Sequence, residues 1–337
     1  LVSESRPEIM LAKWDEEVAM TVTYDNLKAR GQRDLLTNTV KWKGNQEEVH
    51  AYPLEPAFGM EDGGFEIEIE LLEPPQKNVF DFRIAGAEDL DFFYQPPLTE
   101  EYIAGETCID IVCTNATTGE ITRMRPENAV GSYAVYHKNK KDHIRGKKNY
   151  GTGKVMHIYR PLVIDANGNS VWGSLSYQNG KLSVTVPPEF LAIATYPVIV
   201  DPTFGYTTAG TAGTNTIKNT MVFAYASSTS DGTLDSISYY EGAVAGTKYS
   251  KLALYSSNSA TDVNALIATT SEITVLNTDD NTLQTATFPA TGPSITAGTN
   301  YFFAVVGSAA IGAHTIAYDN GTLSVASTLV NTYTNSP

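Results

Sequence analysis

Apolar and polar residues alternate along most of this chain. In EVAMTVTYD (Glu17 to Asp25) every second residue is apolar, and in GGFEIEIELLEPP (Gly63 to Pro75) Phe65, Ile67, Ile69 and Leu71 alternate with Glu66, Glu68 and Glu70. A period of two belongs to a strand with one face buried. It sets the three glutamates on the opposite face, about 7 Å apart along the strand. Carboxylate pairs at such separations are the tools of glycoside hydrolysis. The same alternation describes an exposed polar face, on which no carboxyl has reason to leave its ordinary range, and that reading is preferred.

Further strands are predicted at NTVKWKG, EVHAYPL, NVFDFRI, LDFFYQPPL, GEITRMRP, GSYAVYHK, GKVMHIYRPLVID, SVWGSLSY and KLSVTVP. DANGNS (Asp165 to Ser170) and YQNGK (Tyr177 to Lys181) contain Asn-Gly, which suits the positive φ of hairpin turns. Asp165, Asn167 and Asn169 also alternate like the start of a calcium loop, but the glycine is one place early and the acidic twelfth position is missing. PPEFLAIA (Pro187 to Ala194) reads as a helical turn opened by prolines. After Asp201-Pro202, expected to end the strand YPVIV, short strands follow to the end, spaced by Gly, Asn, Asp and Ser.

The fold class expected is all-β: tandem β-sandwich or jelly-roll-like domains with little helix. The expected divisions are an acidic region, 1–122; a region with a basic loop, 123–204, packed with or continuous with the first; and a C-terminal sandwich, 205–337. The 337 residues exceed what one core usually organises. Tyrosines number 19 against 12 Phe and 3 Trp, a usage that favours pleated, half-buried surfaces. No run reaches the roughly 18 apolar residues of a membrane helix. The start at Leu1 is read as that of a mature or truncated form, and the turn-like end at Ser336-Pro337 as that of a sandwich whose last strand a neighbour supplies.

Charge divides the chain. Residues 1–122 hold 9 Lys/Arg against 25 Asp/Glu, a net −16; residues 123–160 hold 10 against 2, a net +8; residues 161–204 contribute −2 and 205–337 contribute −5, closing at −15. The basic run is HKNKKDHIRGKKNYGTGK, His137 to Lys154. Only Tyr150 interleaves it, so it lacks the stacking platform of a single-strand binder, and no nucleic-acid partner is expected of so acidic a chain. A contact with the acidic first region, within the chain or between subunits, is expected instead, and Lys138, Lys140, Lys141, Arg145, Lys147 and Lys148 are the candidate subunit contacts.

Cys108 and Cys113 allow a hairpin disulfide, a reduced pair, or half of a metal site whose other half is missing. No Gly-x-Ser-x-Gly elbow, His-Glu-x-x-His or phosphate loop occurs. The histidines are His50, His137, His143, His157 and His314; His137 and His143 with Asp142 or Glu127 form the only catalytic grouping suggested, and it has no nucleophile. No catalytic residue, cofactor or metal is expected.

RPENAVGSYAVYHKN, GKVMHIYRPLVIDANGNSVWGSLS and LSVTVPPEFLAIATYPVIVDPTFGYTT, preceded by GGFEIEIELLEPPQKNVFDFRI and LDFFYQPPLT, resemble uncharacterised β-rich proteins of bacteriophages and uncultured bacteria over about 60–206. TYPVIVDPT is similar to the closing strand of β-domains in bacterial wall-associated and secreted repeat proteins, and marks a domain junction. The resemblance implies a virion or cell-surface setting and brings no catalytic residues. KLALYSSN and AGTNYFFAVV resemble β-sandwich modules of secreted enzymes and fibres, several of which bind sugars; Tyr239, Tyr240, Tyr249 and Tyr255 are the candidate glycan contacts on that resemblance. The function expected is a non-enzymatic structural subunit of an extracellular particle, a phage decoration, fibre or tail-associated protein forming homo-oligomers or joining other subunits. The alternative is a surface carbohydrate-binding protein, and a glycan-cleaving enzyme comes third.

Overall fold

A computed structural model describes residues 1–57, 60, 62–101, 104–140, 143–145, 148–206, 210, 213–228, 231–259, 262–309, 311–319, 324–325 and 329–330. Strand makes up 56% of the chain and helix 4%, in several antiparallel sheets consistent with multiple β-sandwich domains, so the protein is all-β. The chain forms two compact units. The first joins Leu1–Pro96 to Glu127–Thr208, and the second joins Pro97–Pro126 to Ala209–Pro337. The sequence-based cut at 122/123 therefore falls inside a strand, Ile121–Met124.

In the first unit, Glu8–Lys13, Val18–Tyr24, Val79–Ala85, Lys181–Thr185 and Ser174–Gln178 make a five-stranded antiparallel sheet. A larger sheet packs over it. Its centre is Gly64–Leu71, flanked on one side by Glu47–Leu54 and on the other by Val198–Asp201 and Thr203–Gly205. Ile9, Leu11, Met20, Val22, Phe82 and Leu182 of the first sheet meet Trp42, Val49, Ile67, Ile69, Val200 and Phe204 of the second in one core. Alternation predicts this burial, because each strand turns its β-branched and aromatic residues to the same side. Pro202 interrupts the strand rather than ending it. Pairing to Gly64–Leu71 resumes at Thr203, opposite Glu66, since the missing proline donor costs one ladder bond only.

Two local signals translate directly. Gln178 and Lys181 face each other across Asn179-Gly180, whose φ values of 51° and 76° are those of a tight primed hairpin turn. Pro188–Ile193 is the one α-helix among the described residues. Asp165, weighed above for calcium, accepts the amides of Asn167, Asn169 and Thr195, and its carboxylate ties the turn to the segment that follows the helix.

The second unit is also two-layered. One sheet runs Leu283–Thr287, Ser236–Val244, His314–Tyr318, Gly213–Thr216, and the other centres on Lys248–Ser259, Asn300–Gly307 and Thr220–Ser227. Ile217, Val222, Ile237, Leu252, Phe288, Val305 and Ile316 fill the space between. The first sheet is extended by chain from before the junction: Ile121–Met124 pairs with Gly213–Thr216, followed by Val112–Asn115 and Glu106–Ile109. Cys108 lies opposite Cys113 in this hairpin, and the two form a disulfide.

Buried charge holds the insertion. Arg123 donates to Glu106 (2.9 Å), to the Glu101 carboxylate (3.0 Å) and to the Glu101 carbonyl (2.7 Å), and Arg125 donates to the other Glu101 oxygen (2.9 Å). The arginines are 3% and 0% exposed. Removing one partner of such a group strands the other without solvent. Glu101→Ala is accordingly expected to destabilise the second unit by about 3–5 kcal/mol, read as a shift of its urea-unfolding midpoint, whereas Glu120→Ala on the same hairpin's exposed turn should leave it unchanged within ~0.5 kcal/mol.

Candidate functional site

The glutamates of Gly64–Leu71 stand half-buried in a crowded polar face. Register decides what surrounds them. Glu48 lies opposite Glu70, His50 opposite Glu68 and Tyr52 opposite Glu66, while Thr203 faces Glu66 from the other side. Tyr52 donates to Glu68 at 2.7 Å and Thr203 donates to Glu66 at 3.0 Å. The His50 ring sits among three carboxylates: Nε2 is 3.5 Å from both Glu48 and Glu70, and Nδ1 is 3.6 Å from Glu68. Lys43 reaches the outer oxygen of Glu48 at 3.1 Å.

Electrostatics follow from the crowding. Burial pushes the Asp201 carboxyl far above the usual carboxylate range, and its hydrogen bond to Glu66 and the nearby Glu68 charge push the same way. One of its oxygens, Oδ1, is buried without a hydrogen-bond partner. Burial also disfavours the Glu68 anion, but the bonds from His50 and Tyr52 outweigh it and hold Glu68 below its ordinary value. Adjacent carboxyls are thus driven apart, one protonated at neutral pH and one ionised, which is the arrangement of a proton donor beside a charge. The expectation of an exposed ladder is corrected here: the neighbouring strands half-bury it. Two donor groups lie on this face, Glu48, His50 and Glu70, and Glu66, Glu68 and Asp201, each with its ligand atoms within 4.8 Å of one another.

The basic run has a different part. Lys140 and Lys148 both bind Glu17, Tyr150 donates to Glu17 at 2.9 Å, Lys148 also pairs with Asp15 at 3.0 Å, and Lys138 donates to the Glu88 carbonyl at 2.6 Å. The bonds from Lys140, Lys148 and Tyr150 hold Glu17 down to about 2. These contacts close over the turn Trp14–Glu16, three residues in left-handed conformation with φ of 55°, 56° and 65°. That conformation costs roughly 1–2 kcal/mol per non-glycine residue, and Lys148 steadies it by binding the Trp14 carbonyl as well. Lys138, Lys140 and Lys148, expected at a subunit contact, are therefore engaged within their own chain. Lys141, Lys147 and the Arg145 side chain lie outside the described residues, as do Asp142 and the His143 side chain. His137 Nδ1 accepts the amides of Asn139 and Lys140, and Glu127 accepts from the Trp172 indole at 3.3 Å.

The candidate glycan tyrosines do not form one platform. Tyr239 points inward, where its hydroxyl donates to Glu241 and meets Ser250 Oγ, both 2.9 Å away, and burial raises its phenol well above the usual range. Tyr255 packs edge-on against Phe223 at 5.6 Å. Tyr240 is half-buried, and Tyr249 alone of the four is exposed, at 41%. The rings of Tyr239 and Tyr255 pack against the two core clusters of the second unit.

Sequence reasoning missed two histidine clusters. Ser250 Oγ lies 3.1 Å from His314 Nε2, with Glu241 3.6 Å from the same nitrogen, all fully buried. In a nucleophilic triad the acid binds the other ring nitrogen and the hydroxyl meets solvent, so this is a core polar cluster. Ser132, 2.6 Å from buried His157, donates to the Ala129 carbonyl and is closed off in the same way. No local motif announces either, because their members are 64 and 25 residues apart.

Fold and site together define an all-β protein of antiparallel sandwiches with a carboxyl-rich sheet face and inwardly paired cations. Comparison with protein-family models, curated proteins and solved structures gives no match. No helix among the described residues is long and apolar enough to cross a membrane.

Two outcomes are expected. The folded Asp201 carboxyl holds its proton more tightly than the unfolded one, so its contribution is full below the unfolded value near 4 and is lost as pH rises through the folded value. Asp201→Asn should thus match the wild type at pH 4 and exceed it at pH 8 by about 1 kcal/mol or more, seen as a higher thermal midpoint. Glu17→Gln should free the lysine hairpin, increasing the rate of tryptic cleavage between residues 138 and 154 several-fold at low salt, with unfolding far less affected.

Proposed function

We propose that this chain is a non-enzymatic structural subunit of an extracellular particle, a virion component of the decoration, fibre or tail-associated kind. The observation that carries the reading is the threading. The chain passes between its two units three times, after Pro96, after Pro126 and after Thr208. A single linker makes a hinge by default. Three passages take the place of that single linker, and the inserted hairpin is held within the second unit by its disulfide and buried Arg–Glu pairs.

Assembly then rests on sheet edges rather than on the basic loop, whose Lys138, Lys140 and Lys148 are used within the chain. Asp262–Thr269 is the end strand of its sheet and exposes Leu266 at 53% and Ile267 at 41%. An open edge of this kind carries unpaired backbone groups that a neighbouring strand can take up. Light scattering combined with electron microscopy of the same sample tests the proposal. Ordered multimers or particles are expected, unaffected by Lys140→Ala; a monomer at every concentration and salt would overturn it and turn attention to glycan binding.

A further inference from the structure

The cluster around His50 has a geometry that hydrogen bonding does not account for. Oε2 of Glu48 and Oε2 of Glu70 converge on one ring nitrogen, Nε2, each at 3.5 Å. A nitrogen carries at most one proton, and N–H···O bonds close at 2.7–3.2 Å, so neither oxygen is well satisfied by the ring. Separations of about 3.3 Å are instead those between ligands on a tetrahedral ion with bonds near 2.0–2.1 Å. The three donor atoms lie within 4.8 Å of one another.

We propose that Glu48, His50 and Glu70 form a binding site for a divalent transition ion, Zn2+ foremost, with His50 Nε2 and one oxygen from each glutamate as ligands. The rest of the face supports the assignment. His50 Nδ1 is turned to Glu68 at 3.6 Å, and Glu68 is held in turn by Tyr52 at 2.7 Å. A carboxylate on the far nitrogen of a metal-binding histidine fixes the ring's tautomer and direction and raises its basicity. Glu48 keeps its other oxygen for Lys43, which leaves Oε2 free to turn inward.

Charge favours the same occupant. Five carboxyls, Glu48, Glu66, Glu68, Glu70 and Asp201, share this face with one imidazole and two lysines, Lys41 and Lys43. Burial first, and then the neighbouring Glu66 and Glu68, favour the protonated Asp201 carboxyl, whose Oδ1 is left buried and unpartnered. A dication relieves repulsion that a proton now offsets. An imidazole among the donors selects zinc, cobalt or nickel over calcium and magnesium, which prefer oxygen alone. Side chains of His50, Glu48 and Glu70 are 12%, 18% and 25% exposed, so a fourth position opens to water or to a donor from a neighbouring molecule.

Cobalt chloride added to the full-length protein at pH 7.5 tests this through its visible d–d absorption, with Zn2+ and Ca2+ as competitors and calorimetry for stoichiometry. One equivalent is expected to bind with the intense bands of a four-coordinate ion, to be displaced by Zn2+ and not by millimolar Ca2+, and to weaken at least tenfold in His50→Gln. Glu70→Gln, an isosteric change on a half-exposed face, repeats the test should His50→Gln fold poorly. Cobalt uptake equal in the wild type and either folded variant, absence of four-coordinate bands, or displacement by Ca2+ as readily as by Zn2+ would overturn the assignment.

Discussion

The strand Gly64–Leu71 is under two incompatible demands, and much of the first unit is arranged to meet them. Ile67, Ile69 and Leu71 are 0–2% exposed in the core, which fixes the strand's register, because a shift of one residue would turn the glutamates inward. Once register is fixed, Glu66, Glu68 and Glu70 cannot move apart. Their charge has to be met where they stand. Tyr52, Thr203, His50 and the retained proton of Asp201 meet it, each delivered by an adjacent strand. The polar face is thus a consequence of the apolar one, and its chemistry is inherited from packing.

The other charged groups sort by burial. Arg123 and Arg125 are enclosed with Glu101 and Glu106, where an unpaired ion is intolerable, so they define the seat of the inserted hairpin. Lys140 and Lys148 meet Glu17 and Asp15 at the surface, where water screens the attraction. The surface pairs gain importance from the left-handed turn beneath them, a locally unfavourable backbone that they help to hold. Among the described residues, the complementary charges of 1–122 and 123–160 thus meet within the chain by two mechanisms of unequal strength.

Residues 97–126 thread back into the second unit, where their disulfide and buried Arg–Glu pairs hold them, a connectivity that a string of beads lacks. The Ser250–His314–Glu241 and Ser132–His157 groupings fit this picture as internal braces. They place hydroxyls and imidazoles inside the sandwich cores, where Ser250 and Ser132 bond to His314 and His157 while Glu241 Oε1 and His314 Nδ1 stay without a hydrogen-bond partner. The carboxyl face around His50 is the exception, since it is polar, partly open and short of cations.

The amino-acid sequence by itself determined the all-β class, the one-sidedness of the strands, the Asn179-Gly180 turn and the short helix at Pro188. These are local properties: pleat alternation, positive φ and proline geometry depend on a few consecutive residues. Only the tertiary structure decided that Pro202 interrupts a strand without ending it, that 97–126 belongs to the second unit, that Tyr239 faces inward, and that His50 meets Glu48, Glu68 and Glu70. Those outcomes depend on which strand lies beside which, and in what register. Thr203 and Glu66, 137 positions apart, become neighbours because a ladder closes over the core, and no spacing along the chain encodes that closure.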